Sequence, residues 1–195
     1  MKRLLPILLV GLILSVAIPL TSCAEKPSAS FVLKPSDVGQ DWSYEVKIGN
    51  TSYGVNHPQY FRDGRGFDLG IRRVFIEDNI ATIEEFIQSV MVYPYPEEAL
   101  NSIEDFRDNY QPLDILHWDE VYLDTRLIEE SFEQVGLVLR KDNCVMNLYY
   151  REVLYKEDPL TGEFYHSEYP PFSEEKAQWA EDLLYSLAEI AISRQ

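Results

Sequence analysis

Residues 132–139 (FEQVGLVL) and 144–150 (CVMNLYY) predict two β-strands, and the polar segment RKDN at residues 140–143 predicts the turn between them. Both flanking segments are rich in the aliphatic and aromatic residues that favour strands. Four polar residues between two apolar runs are typical of a hairpin turn. This stretch therefore decides that the fold contains an antiparallel sheet.

A second hairpin follows directly along the chain. Residues 149–156 and 163–169 flank the turn DPLTG at residues 158–162. Proline suits the second position of such a turn, and glycine suits a following left-handed position. Pro170-Pro171 then ends the strand region, because proline cannot donate to a sheet.

The remaining strands are predicted from the alternation of apolar and polar residues. The segment Ile80–Tyr93 is ambiguous, since its first half also fits the start of a helix while its second half favours a strand. The other predicted strands are Tyr44–Ile48, Phe67–Ile76 and one or two within Leu113–Glu130.

Two main helices are predicted from apolar residues at helical spacing. The first begins at Glu97, with Ala99, Leu100, Ile103 and Phe106 on one face. The second begins at the capping residue Ser173, with its apolar stripe formed by Ala177, Ala180, Leu184, Leu187 and Ala191. We therefore predict a single α+β domain over residues 31–195, in which both helices pack on an antiparallel sheet.

The N-terminus has the parts of a secretory signal. Met1-Lys2-Arg3 is positively charged, Leu4–Leu20 is apolar without a charge, and Thr21-Ser22 supplies small residues before Cys23. This arrangement resembles a bacterial lipoprotein signal peptide of residues 1–22. The resemblance implies cleavage before Cys23, acyl chains on that cysteine, and a tether of residues 23–30 at the extracytoplasmic face of a membrane.

Two alternatives to lipidation of Cys23 remain open. The apolar run is marginal in length for a membrane-spanning helix. An ordinary secreted protein could also be cut elsewhere and keep Cys23 in a disulfide. Pro19 and the small residues before Cys23 favour processing over a spanning helix.

The charge of the chain limits its partners. The formal net charge is −16, and removing residues 1–22 makes it −18 because they hold two basic residues and no acidic one. Nucleic-acid binding requires clusters of Lys and Arg, so we expect no nucleic-acid partner. The acidity also argues against direct adhesion to anionic lipid, and it fits either a cationic partner or a solvated surface.

Catalytic and metal-binding motifs are not found in the sequence. The patterns of serine hydrolases, zinc proteases, phosphate-binding loops and dinucleotide sites do not occur. Cys144 fits a buried strand residue better than a nucleophile. His117 and Asp119 fit a weak metal site or a strand edge. We predict no catalytic residue, no metal and no cofactor.

Three other patterns allow a functional or a structural interpretation. Residues 157–168 can be aligned with a calcium loop, but Pro159 occupies a ligand position, which favours a plain turn. The acid pairs Glu84-Glu85, Glu97-Glu98 and Glu129-Glu130 fit paired carboxylates or a solvated face. The aromatic residues between Tyr149 and Phe172 fit stacking on sugar or peptide, or packing between strands.

Several short motifs together resemble a known fold family. They are Ser36–Trp42 (SDVGQDW), residues 89–93 (SVMVY) before the Ala99 helix, residues 119–122 (DEVY) and residues 138–145 (VLRKDNCV). They are similar to motifs of LpqN-type lipoproteins and PknH-type sensor domains with a PsbP-like fold. Asp142 stands where that family commonly has glycine. The resemblance implies a sheet with packed helices and a role in binding rather than chemistry.

These observations predict a lipid-anchored extracytoplasmic domain that binds an envelope protein or a small ligand without catalysis. Its ligand-binding residues are not identifiable from the sequence. The alternatives are an envelope hydrolase acting on glycan and a purely structural lipoprotein.

Overall fold

The computed structural model describes residues 31–63, 65–110, 112–128 and 131–194. The predictions for residues 1–22, for Cys23, for the tether and for Glu129-Glu130 lie outside the described residues. The described elements are α1 (Pro35–Val38), β1 (Glu45–Ile48), β2 (Thr51–Gly54), β3 (Gln59–Tyr60), β4 (Gly66–Glu77), β5 (Ile80–Val92), α2 (Pro96–Ser102), α3 (Glu104–Asn109), β6 (Glu120–Ile128), β7 (Ser131–Lys141), β8 (Cys144–Glu157), β9 (Phe164–Glu168) and α4 (Glu174–Ser193).

Seven of the described strands form one antiparallel sheet. The order from edge to edge is β3, β4, β5, β8, β7 and β6. Strand β9 also pairs with β8, beyond the stretch that β7 occupies. Strands β1 and β2 form a separate hairpin. The predicted α+β class with an antiparallel sheet is confirmed.

The hairpin that decides the fold is present, and its turn is tighter than predicted. Lys141 pairs with Cys144, so only Asp142 and Asn143 lie between β7 and β8. Asp142 has a φ of 52°, a left-handed conformation that aspartate tolerates better than most residues. Its N–H donates to the carboxylate of Asp119 at 2.7 Å. This side-chain acceptor supports the strained turn.

Strand β5 runs without interruption, so the helical alternative for its first half is wrong. Alternate residues of a strand point to opposite faces of the sheet. In β5 both faces are covered over part of the length: Phe86 and Val90 lie in the core below α4, while Ala81 and Ile83 lie below the β1–β2 hairpin. Burial on both faces hides the two-residue period that identifies a strand.

Helix α4 packs along one face of the sheet as predicted. The hydroxyl of Ser173 accepts from the N–H of Lys176 at 3.2 Å and caps the helix. All five residues of the predicted stripe are buried, and the carbonyl of Ala188 accepts from Trp118 Nε1 at 3.2 Å. Burying a side chain the size of Leu184 contributes roughly 1.5–3 kcal/mol, so this stripe anchors the helix.

The helix predicted from Glu97 is instead two short helices, α2 and α3. The chain leaves helical geometry at Ile103, whose φ and ψ are −113° and 14°. Ile103 is 1% exposed and packs with Ala99, Tyr122 and Val145. Burial of this side chain against the sheet fixes the break.

The region between Leu113 and Glu130 holds one described strand, β6. Upstream of it, Pro112 forms a single bridge with Tyr122, and the N–H of Leu113 donates to the carbonyl of Val121 at 2.8 Å. The single strand β6 agrees with the prediction of one or two strands in this region. Among the described residues, no helix has the length and apolar character needed to cross a membrane.

Candidate functional site

The face of the sheet opposite α4 is covered at both ends and open in the middle. At one end the β1–β2 hairpin packs Val46 and Ile48 on Ala81 and Ile83. At the other end α2 and α3 pack on residues of β6, β7 and β8. Between these two coverings lies an open band across the strands, which we call the trough.

Residues from five strands form the floor of the trough in two rows. In the first row Asp68, Ser89 and Asn147 lie side by side on β4, β5 and β8. In the second row the strand register places Ile87 beside Tyr149, Tyr149 beside Gly136, and Gly136 beside Asp124. Five strands span four spacings of roughly 4.8 Å, so the trough is about 19 Å long.

Three cavities lie along the trough. Their volumes are about 570, 190 and 100 Å³. Asn147 lines all three, and its side chain is exposed. Gly54 and Gln59 form one wall, whereas Ser102 and Phe106 form the other. A cleft of this size accommodates a small or elongated ligand.

The polar side chains on the floor of the trough have no hydrogen-bonding partners among the described residues. No hydrogen bond or ion pair within those ranges involves the side chains of the set Asp68, Ser89, Asp124, Gln134, Asn147 and Tyr149. Acidic groups elsewhere are engaged, since Asp37, Glu84, Glu85, Asp119 and Glu120 each have a cationic partner. The trough is therefore a place where hydrogen-bonding groups remain available to another molecule.

A row of three charged residues bounds the trough on the side of the β1–β2 hairpin. Glu85 accepts from Arg72 at 2.5 Å and from Arg151 at 2.8 Å. Arg72 Nη1 also donates to the carbonyls of Tyr44 at 3.0 Å and Gly70 at 3.2 Å. Burial lowers the pKa of Arg151, but Glu85 outweighs this and raises it. The row ties the hairpin to the sheet.

Tyr149 occupies the centre of the second row. Gly136 lies opposite it, and a Cβ added to Gly136 would lie 3.0 Å from the Cβ of Tyr149. Glycine at this position therefore leaves room for the tyrosine. Burial raises the pKa of the Tyr149 phenol, and Arg151 offsets this only in part. The phenol stays neutral and can donate a hydrogen bond.

The opposite face of the sheet carries a charged cluster enclosed below α4. Glu84 accepts hydrogen bonds from Arg73 and Lys176, and Lys176 also lies 3.5 Å from Glu152. Burial would raise the pKa of Glu84, but these hydrogen bonds outweigh it and lower the pKa. A general acid in glycoside hydrolysis requires a raised pKa. The cluster therefore fits a structural role better than an acid–base pair.

The acid pair Glu84-Glu85 is not a solvated face, and that interpretation is wrong. The two residues are 3% and 6% exposed and point to opposite faces of β5. Each carboxylate is held by two cationic side chains. Glu97 and Glu98 are exposed in the first turn of α2. Strand alternation separates neighbours in sequence, so such pairs do not form one site.

Cys144 is buried as predicted, and the carboxylate beside His117 is already engaged. Burial raises the pKa of the Cys144 thiol to about 12. Asp119, considered as a metal ligand with His117, accepts from Lys141 at 3.0 Å and from Arg140 at 3.3 Å. Within the described ranges, no group of three or more His, Cys, Asp or Glu could hold a metal ion.

The residues of the aromatic stretch have two roles: some pack in the core, and Tyr149 lines the trough. Tyr150 packs on Phe86, Phe172 and Trp179 below α4, with ring centroids 5.0–5.4 Å apart. Its neighbour Tyr149 lines the trough.

The second predicted hairpin turn is also present. Gly162 has a φ of 70°, and its N–H donates to the carbonyl of residue 158 at 2.8 Å. This confirms the predicted hairpin turn.

Sequence reasoning missed the trough residues Asp68, Ser89 and Asn147. A detectable indication was present, because aspartate and asparagine are unusual within strands.

The chain matches no family model, no curated protein and no solved structure. The PsbP-like resemblance and the lipid anchor therefore stay predictions.

Proposed function

We propose that this protein is a lipid-anchored extracytoplasmic binding domain that holds a ligand or an envelope partner in the trough and does not catalyse a reaction. The observation that carries the proposal is the set of polar side chains, unpartnered among the described residues, on an open part of the sheet. A structural lipoprotein has no need to keep such groups unpaired across the centre of a sheet, where apolar residues pack better.

The positions of the carboxylates in the trough favour binding over hydrolysis. Asp68 and Asp124 lie on β4 and β6, at opposite ends of the floor. Four strand spacings separate these strands, which amounts to about 19 Å. Paired carboxylates in glycoside hydrolases are about 5 to 9.5 Å apart. The two aspartates are therefore too distant to act on one bond.

The location rests on the sequence alone. Cys23 follows an apolar segment that resembles a lipoprotein signal, and several acyl chains on one cysteine hold a protein firmly at a membrane. The short tether then keeps the trough close to that membrane. The partner or ligand should accordingly be found in the cell envelope.

Photo-crosslinking in cells tests the use of the trough. A photoreactive amino acid replaces Asn147, and a matched chain carries it at Gln178, an exposed residue of α4 on the other face of the sheet. We expect a crosslinked product that is specific to position 147. Equal products from both positions, or none from position 147, would overturn the proposal.

A further inference from the structure

We propose that the occupant of the trough is an uncharged glycan chain, bound by hydrogen bonds from the floor and by contact with Tyr149 and Phe106. This inference rests on the proposed function and adds the chemical class of the ligand. It follows from the charge, the hydrogen-bonding groups and the shape of the trough.

The charges of the trough disfavour an anionic ligand. Asp68 and Asp124 lie at its two ends and carry no counter-ion among the described residues. The neighbouring cations Arg72 and Arg151 are both bound to Glu85. A phosphate or carboxylate entering the floor would meet two carboxylates that have no counter-ion among the described residues, and the chain as a whole is strongly acidic.

The hydrogen-bonding groups of the floor match hydroxyl groups. Carboxylates only accept, a serine hydroxyl both donates and accepts, and the amide of Asn147 or Gln134 does both through different atoms. A sugar hydroxyl also donates and accepts, so it satisfies each of these groups without needing a charge. An apolar ligand would instead leave them desolvated and unpaired, which costs free energy.

The shape of the trough disfavours a peptide. A peptide that binds through its side chains requires an apolar pocket for an anchor residue. A peptide that adds to a sheet requires a free strand edge, whereas the floor lies over the middle of the sheet and presents side chains only. The largest cavity of the trough is lined by polar as well as apolar groups, with Asp68, Ser89 and Asn147 on its floor, so it offers no apolar anchor pocket.

Two aromatic side chains supply the apolar contact that a sugar ring requires. Tyr149 and Phe106 are both partly exposed, and both line the cavity of about 190 Å³. The C–H face of a pyranose ring is apolar and packs on aromatic surface through the hydrophobic effect. The length of the trough admits more than one sugar unit, so the ligand is a chain rather than a single sugar.

Binding of the full chain in detergent to neutral, acidic and amine-bearing oligosaccharides tests the inference. We expect retention on neutral glycans, and a loss of about tenfold in affinity for Tyr149→Ala, as expected for an aromatic contact with its buried area. Asn147→Trp should abolish retention, because Asn147 lines all three cavities. Gln178→Trp on α4 is the matched control and should bind normally. Circular dichroism verifies that each variant is folded.

The outcomes separate this inference from the proposed function. Binding restricted to acidic or amine-bearing glycans would overturn the choice of an uncharged ligand. If a protein is crosslinked at position 147 and no glycan is retained, the glycan inference is overturned. The proposed binding role of the trough then still holds. Absence of any product specific to position 147 would overturn both. Neutral glycan binding that Asn147→Trp leaves unchanged would place the ligand outside the trough and overturn the inference.

Discussion

Glu84 of β5 and Lys176 of α4 form an ion pair at the contact between the sheet and the helix. The side chain of Glu84 is 4% exposed, and Arg73 binds the same carboxylate. The ammonium of Lys176 lies 4.7 Å from the ring centroid of Trp179, which restricts its escape to solvent. One buried carboxylate therefore binds two cations, and Glu152 supplies a second negative charge 3.5 Å from Lys176.

Replacing Glu84 with Gln should lower the free energy of unfolding by about 3 kcal/mol, because it leaves two partly buried cations without their shared counter-ion. Urea denaturation measures the change. The control is Glu168→Gln, whose partner Lys156 lies 3.5 Å away in an exposed pair. That control should cost less than about 1 kcal/mol. Equal losses in both variants would contradict a special role for the buried cluster.

Acid should destabilise the protein through three carboxyl groups. Burial alone would raise the pKa values of Asp37, Glu84 and Asp119, but hydrogen bonds from cationic or backbone groups outweigh it and lower them. A group with a lowered folded pKa stabilises the protein above its unfolded value, here 3.8 for Asp and 4.5 for Glu. This contribution is lost as the pH falls through the folded pKa.

Thermal melts from about pH 6 down to about pH 3 should therefore show falling stability in the wild-type chain. In Glu84→Gln the decline should be shallower, because one of the three groups no longer titrates. A decline of the same steepness in both chains would show that Glu84 binds protons equally well in the folded and the unfolded chain, and would refute its lowered pKa.

Cys144 should resist thiol reagents while the protein is folded. Its side chain is buried, and burial raises the pKa of its thiol to about 12, so the reactive thiolate is scarce at neutral pH. Labelling with iodoacetamide, followed by mass spectrometry, should modify Cys144 in denaturant and leave it unmodified in buffer. Rapid labelling in buffer would contradict its place in the core.

Replacing Leu184 with Asp should cost several kcal/mol of stability, because Leu184 is fully buried between α4 and the sheet and the new charge would lie among apolar side chains. A circular dichroism melt measures the effect. Ser186→Asp on the exposed side of the same helix is the control and should change stability little. An unchanged melt for the Leu184 variant would refute the packing of α4.

The parts of the fold that the sequence predicts well are those whose pattern is local. The β7–β8 hairpin has a polar turn between two apolar runs, and α4 buries one stripe, so both patterns are visible in the chain. Strand β5 is ambiguous because Phe86 and Ile83 are buried on opposite faces. The break at Ile103 depends on how that side chain fits the sheet, which no local pattern contains.

The trough could not be predicted from the sequence because it depends on strand order. Ser89 and Asn147 are neighbours only because β8 inserts between β5 and β7. Asp124 joins them through two further pairings. A single polar residue in a strand is visible in the sequence, whereas the alignment of several across a sheet is set by long-range pairing.

Replacing a polar floor residue of the trough with a better strand former should raise the stability of the protein. The polar floor residues occupy central strand positions without partners among the described residues. Asn147→Thr replaces a poor strand former with a good one beside Ser89 and Val138, and should raise the free energy of unfolding by about 0.5 kcal/mol. Ser52→Thr in the exposed strand β2 is the control and should have a smaller effect. Residues that lower the stability of a protein are expected to persist on a surface when that surface has a function. A clear loss of stability in Asn147→Thr would instead give Asn147 a structural role and remove this support for the trough as a binding site.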